Sequence, residues 1–133
     1  YQACTLAWNP LRGGAGLTTL DQLKGPQPYP DLGQKTAWLS GEFKSAAESA
    51  GVPFQTQAMG GMFGFFFSEN PVHNFQQALK TDTEQFNRFF RSMLKQGIYL
   101  APSAFESLFV STTHSEEDLE RTVTAFRKAL RDE

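Results

Sequence analysis

Residues 60–68 read GGMFGFFFS, with phenylalanine at positions 63, 65, 66 and 67. An unbroken apolar, aromatic run of this length, bounded by glycine and serine, is the pattern of a buried strand. Met62 to Phe67 is far short of the roughly 20 residues that cross a bilayer, so the chain itself must cover the run. Its lack of alternation predicts cover on both faces. The preceding segment, VPFQTQAMG, does alternate, and Gly60-Gly61 joins the two as a predicted pair of strands.

Cover must come from amphipathic helices. Leu32, Thr36, Leu39, Phe43, Ala46, Ala47 and Ala50 keep to one helical face, and Gly51 supplies a left-handed stop. Phe86, Phe89, Phe90, Met93 and Leu94 form a second stripe ending at Gly97, with Thr81 and Glu84 spaced as a capping box. Leu119, Val123, Phe126 and Leu130 form a third, opened by Ser115 with Asp118 three residues on. Such aromatic and aliphatic stripes are core.

Upstream, Asn9 caps a predicted helix with Pro10 as its first residue, and Gly25-Pro26 ends it. Gly13, Gly14 and Gly16 weaken that helix by about 1 kcal/mol each relative to alanine, which predicts a close approach of another backbone or a ligand. Pro26, Pro28 and Pro30 make a stiff connector. Short strands are predicted at Ile98–Leu100 and Leu108–Val110, and residues 68–80 read as an irregular excursion carrying His73. The order helix, helix, strand, strand, helix, strand, strand, helix specifies an α+β fold: a small, mainly antiparallel sheet covered on one face by helices.

At 133 residues and net charge −2 the chain fits one domain without the basic surface that nucleic acid or an anionic membrane requires. Its one cysteine, Cys4, forms no intrachain disulfide and suits a reducing, intracellular setting; two histidines 41 positions apart give no zinc spacing. Without an apolar leader, the sequence predicts a soluble chain. Beginning at Tyr1 within a helix-like pattern, it also reads as a piece of something longer.

Chemistry-bearing residues are few. No dinucleotide, P-loop, nucleophile-elbow or zinc motif occurs. Cys4 is a structural thiol unless a histidine lies beside it, and Glu116, Glu117 and Asp118 suit the dipole of a helix start. His114, just before that helix, is a turn histidine or a general base, the turn being favoured. Glu106 lies in APSAFES, between two apolar runs. A carboxylate there is exposed, paired or functional, and spacing alone slightly favours exposed or paired over functional.

Four segments together resemble the glutamate-1-semialdehyde 2,1-aminomutase family. YQACTLAWNPL is similar to its YQAGTLSGNPL, and GGMFGFFFSENPVHNF to its GGMFGFFF strand and following loop. DTEQFNRFFRSMLKQGIYLAPSAFES matches its DxxxFxxFFxxMLxxGxYLAPSxFE run, and STTHSEEDLERTV its SxAHTxEDI helix start. The resemblance implies a pyridoxal-phosphate enzyme of aminotransferase fold that forms 5-aminolevulinate, dimeric and cytoplasmic. Residues 1–25 would be an edge segment and helix of its large domain, and 26–133 its small C-terminal α+β domain.

The same resemblance implies site residues. Thr5 would reach the cofactor phosphate and Glu106 would face a substrate amino group. The covalent lysine and the aspartate partner of the cofactor lie upstream in the family, and none of Lys24, Lys35, Lys44, Lys80, Lys95 or Lys128 sits in a matching motif. Hence no catalytic residue and no metal ligand is assigned, and the chain alone is expected neither to bind the cofactor nor to turn over. Cys4, Ala7 and Trp8 replace Gly, Ser and Gly of the family pattern, which weakens Thr5 as an assignment. Two other readings are a fragment of another class-III aminotransferase and a non-catalytic, dimerising interaction domain.

Overall fold

The computed structural model describes residues 9–131. Helix α1 (Pro10–Leu23) is capped by Asn9, whose side chain accepts from the Arg12 N–H, and Pro10 occupies its first turn. Helix α2 (Pro28–Ala50) ends at Gly51 in the left-handed region (φ 68°). Strands β1 (Gln55–Met59) and β2 (Met62–Phe66) form an antiparallel hairpin, with Gln55 opposite Phe66 and Met59 opposite Met62. The short helix α3 (Phe75–Ala78), helix α4 (Thr83–Lys95), strand β3 (Leu108–Phe109) and helix α5 (Glu116–Ala129) complete the order. β3 pairs antiparallel with β2, giving one three-stranded sheet, β1-β2-β3.

Register decides which face is core. Thr56 faces Phe65 and Ala58 faces Phe63, whereas Gln57 pairs with Gly64 and Met59 with Met62 on the other side. α2, α4 and α5 cover the first side. There Phe43 of α2, Phe86 and Phe89 of α4 and Phe126 of α5 surround buried Phe63, Phe65 and Phe67 in edge-on pairs and one tilted pair, Phe65–Phe86. The expected sheet with helices on one face is the observed architecture.

Several expectations are corrected. β2 is buried on one face only: Phe63 and Phe65 are buried, while Met62 is exposed and Phe66 half-buried. The outer face receives partial cover from the 70–78 segment, whose Val72 and Ala78 are buried and whose Val72 carbonyl accepts from Gln57. Residues 98–100 form no strand. Asp82, not Thr81, caps α4; the buried Thr81 hydroxyl instead donates to the Ala78 carbonyl. No residue of α1 is buried and the Cβ positions of Gly13, Gly14 and Gly16 meet open space, so among the described residues no close approach accounts for them.

Polar groups inside the core are satisfied. The Ser40 and Thr56 hydroxyls lie 2.9 Å apart and Thr56 reaches the Gly64 carbonyl, linking α2 to the hairpin. Among the described residues no buried side-chain polar atom lacks a partner.

Candidate functional site

Glu106 sits in the 101–107 loop between buried Leu100 and Val110. Pro102 blocks helical continuation, and Ser103 then builds the turn: its hydroxyl accepts from the Phe105 N–H at 3.2 Å, its carbonyl from the Glu106 N–H at 3.2 Å. The backbone of Glu106 is therefore fixed while its side chain is exposed. No ion pair to Glu106 occurs among the described residues. Beside it Phe105 packs edge-on against Phe75 of α3, centroids 6.1 Å apart, both rings remaining largely exposed.

Directly beneath the turn, Phe65, Phe86, Leu100, Ala104 and Leu108 close a recess of only about 10 Å³. Glu106 lines the edge of this apolar recess while remaining exposed. A carboxylate so placed is suited to accept charge-assisted hydrogen bonds from an amino group presented by a surface docked above it. Of the three options the sequence left for Glu106, being paired is removed within the described residues.

The other sequence candidates are not gathered with it. Thr5 and Cys4 lie outside the described residues. His114 is a turn histidine: its Nδ1 accepts the Ser111 N–H at 3.1 Å, and its carbonyl takes the Lys35 ammonium at 2.6 Å. Ser115 and Asp118 form the expected capping box, with Asp118 Oδ2 accepting from both the N–H and the hydroxyl of Ser115. These hydrogen bonds hold the Asp118 carboxyl below its ordinary value of 3.8, with further help from the nearby His114 and Arg121. His73 is exposed, its N–H donating to Gln77.

Ser103 and the Phe75–Phe105 pair escaped sequence reasoning. Pro-Ser ahead of an aromatic residue is a serine-turn signal that would have pointed to Ser103, but the aromatic pair joins residues 30 positions apart and has no local signature. Among the described residues no cluster of His, Cys, Asp and Glu could hold a metal, and no helix is long and apolar enough to cross a membrane.

The fold defines a class. The structure superposes with a TM-score of 0.80 on an omega-transaminase from Sphaerobacter thermophilus, at 24% identity over 99% of this chain and 30% of that one. It superposes at 0.82 on a glutamate-1-semialdehyde-aminomutase from Pseudomonas aeruginosa solved in complex with PMP, at 20% identity over 98% and 29%. The chain has the fold of a segment of these aminotransferase-fold proteins. In sequence the chain is 48% identical over 130 residues to the glutamate-1-semialdehyde 2,1-aminomutase of Chlorobium phaeovibrioides and 47% identical to that of Chlorobaculum tepidum. The match takes 98% of this chain and 30% of each relative, so the chain spans just under a third of their length. In sequence it is therefore similar to one segment of these glutamate-1-semialdehyde 2,1-aminomutases. No protein-family model matches it.

Proposed function

We propose that the chain is the C-terminal portion of a glutamate-1-semialdehyde 2,1-aminomutase, the enzyme that exchanges amino and oxo groups to give 5-aminolevulinate, a tetrapyrrole precursor. The observation that carries this reading is the 48% identity maintained across 130 of 133 residues. In it residues 1–25 belong to the edge of the large domain and 26–133 to the small domain, and the complete protein is a cytoplasmic homodimer. The exposed Leu11, Leu17 and Leu20 of α1 support this division, because such a row needs a partner surface.

Pyridoxal phosphate, when bound, supplies the electron sink for moving an amino group. In this reading its cradle needs the upstream portion. Lys24 pairs with Asp21, Lys35 is held by the Thr112 and His114 carbonyls, and Lys44, Lys80, Lys95 and Lys128 are exposed. In the complete protein Glu106 would accept from the substrate amino group and so orient it, while Thr5 would reach the cofactor phosphate.

The test lengthens the chain upstream to the size of its relatives, adds pyridoxal phosphate and follows 5-aminolevulinate. The long form is expected to convert glutamate-1-semialdehyde, and Glu106→Gln to lower kcat/KM by about tenfold or more, the loss of one charge-assisted contact. Transfer between other amino donors and acceptors without isomerisation would instead make it another class-III aminotransferase. Turnover by the 133 residues alone would overturn the assignment of the catalytic groups to the upstream portion.

A further inference from the structure

A second cleft, which does not include Glu106, is lined by Gly97–Leu100, Leu108–Val110 and the start of α5. Its volume is about 480 Å³, within the roughly 300–1,000 Å³ typical of small-molecule sites. The half-buried Ile98 and Leu108, with the nearly fully buried Phe63 and Leu119, form an apolar floor; Arg121, His114 and Tyr99 stand at its rim. None of these is assigned a role by the reading of Glu106, and the inference is independent of that reading.

The rim is arranged to donate. Arg121 makes no ion pair and no hydrogen bond among the described residues, and its guanidinium lies over Gly97, whose missing side chain leaves it room: a Cβ there would sit 3.1 Å from Arg121 Nη2. Because His114 Nδ1 accepts the Ser111 N–H, the neutral ring carries its hydrogen on Nε2, a donor. The one carboxylate on the rim, Asp118, has its Oδ2 taken by both donors of Ser115, and it feels the Arg121 charge without forming an ion pair with it. A planar fork whose N–H groups make no hydrogen bond among the described residues and an imidazole N–H above an apolar floor are complementary to a carboxylate carried on a flat apolar body.

From the cavity and this donor set together we propose that the cleft between Gly97–Leu100, β3 and α5 binds a small aromatic or alicyclic carboxylate, its carboxylate on Arg121 and His114 and its ring on the Ile98–Leu108–Leu119 floor. The test titrates the 15N-labelled chain with benzoate and, separately, with benzylamine. Saturable amide shifts confined to residues 97–100, 108–114 and 118–122 are expected with benzoate and not with benzylamine. Arg121→Gln, on an exposed side chain and so retaining the fold, is expected to weaken benzoate about tenfold, and His114→Ala severalfold. Circular dichroism melts check that both variants are folded. Absence of saturable shifts, shifts elsewhere on the chain, equal response to benzylamine, or undiminished binding by folded Arg121→Gln would each overturn the proposal.

Discussion

Phe43 of α2 and Phe126 of α5 lie face to face, ring centroids 4.0 Å apart with 10° between their planes, both fully buried. Phe54, Phe65 and Phe89 meet Phe126 edge-on, so this one ring joins two helices to the sheet. Phe126→Ala is expected to lower stability by about 3–5 kcal/mol, a large part of the roughly 5–15 kcal/mol total of a small domain. Urea denaturation measures this. A double-mutant cycle with Phe43→Ala should return a coupling of about 0.5–1.5 kcal/mol; a coupling near zero would show that the stack adds nothing beyond burial.

The helices that pack around this pair are legible in sequence because each announces itself locally. Ser115 and Asp118 sit three apart before a stripe at helical spacing, and both the cap and the buried Leu119, Val123 and Phe126 follow. Choices that depend on distant partners are not legible. Thr81 and Asp82 are both able to cap; the Asp82 N–H donates to the Phe67 carbonyl at 3.0 Å, and that tertiary bond holds Asp82 extended in the cap position. An apolar run such as Met62–Phe67 does not reveal which face is covered. Ile98–Leu100 has strand-forming residues and no strand to pair with.

The capping box gives stability a pH dependence of defined sign. The Asp118 carboxyl lies below 3.8 in the folded chain, so between the two values the unfolded chain binds more protons. Its contribution is therefore complete above 3.8 and is lost as pH falls through the lowered folded value. Asp118→Asn should melt below the parent at neutral pH, and the gap should close on acidification past that value. A gap that is constant with pH would assign the effect to helix propensity instead. Ser115→Ala, which removes the cap itself, is expected to lower stability by about 1 kcal/mol.

Glu106 was legible as an unusual position and not as an organised one. A carboxylate between apolar runs is visible in the sequence, which does not show that Ser103 fixes the backbone beneath it through two hydrogen bonds. Stability should separate the two residues. Glu106→Gln, exposed and without an ion pair, is expected to change it by less than about 0.5 kcal/mol. Ser103→Ala removes the hydroxyl that accepts from Phe105 and should lower stability by about 0.5–1 kcal/mol. Thermal melts of both variants measure the difference, and a large loss in Glu106→Gln would reveal a structural partner for the carboxylate.

Gly97 carries two constraints that can be measured apart. Its φ of +81° disfavours any side chain, and its Cβ position lies 3.1 Å from Arg121 Nη2. Gly51 shares the first constraint, at φ +68°, with open space around its Cβ position. Gly51→Ala and Gly97→Ala should therefore both lose about 1–2 kcal/mol to the left-handed backbone. Only Gly97→Ala also displaces the guanidinium, which as the end of a flexible side chain can yield by a few tenths of an ångström. Combined with Arg121→Ala, Gly97→Ala should lose less than it does alone, whereas Gly51→Ala should lose the same with or without Arg121. Equal losses for Gly97→Ala in both backgrounds would mean that its backbone conformation is the whole of the requirement for glycine.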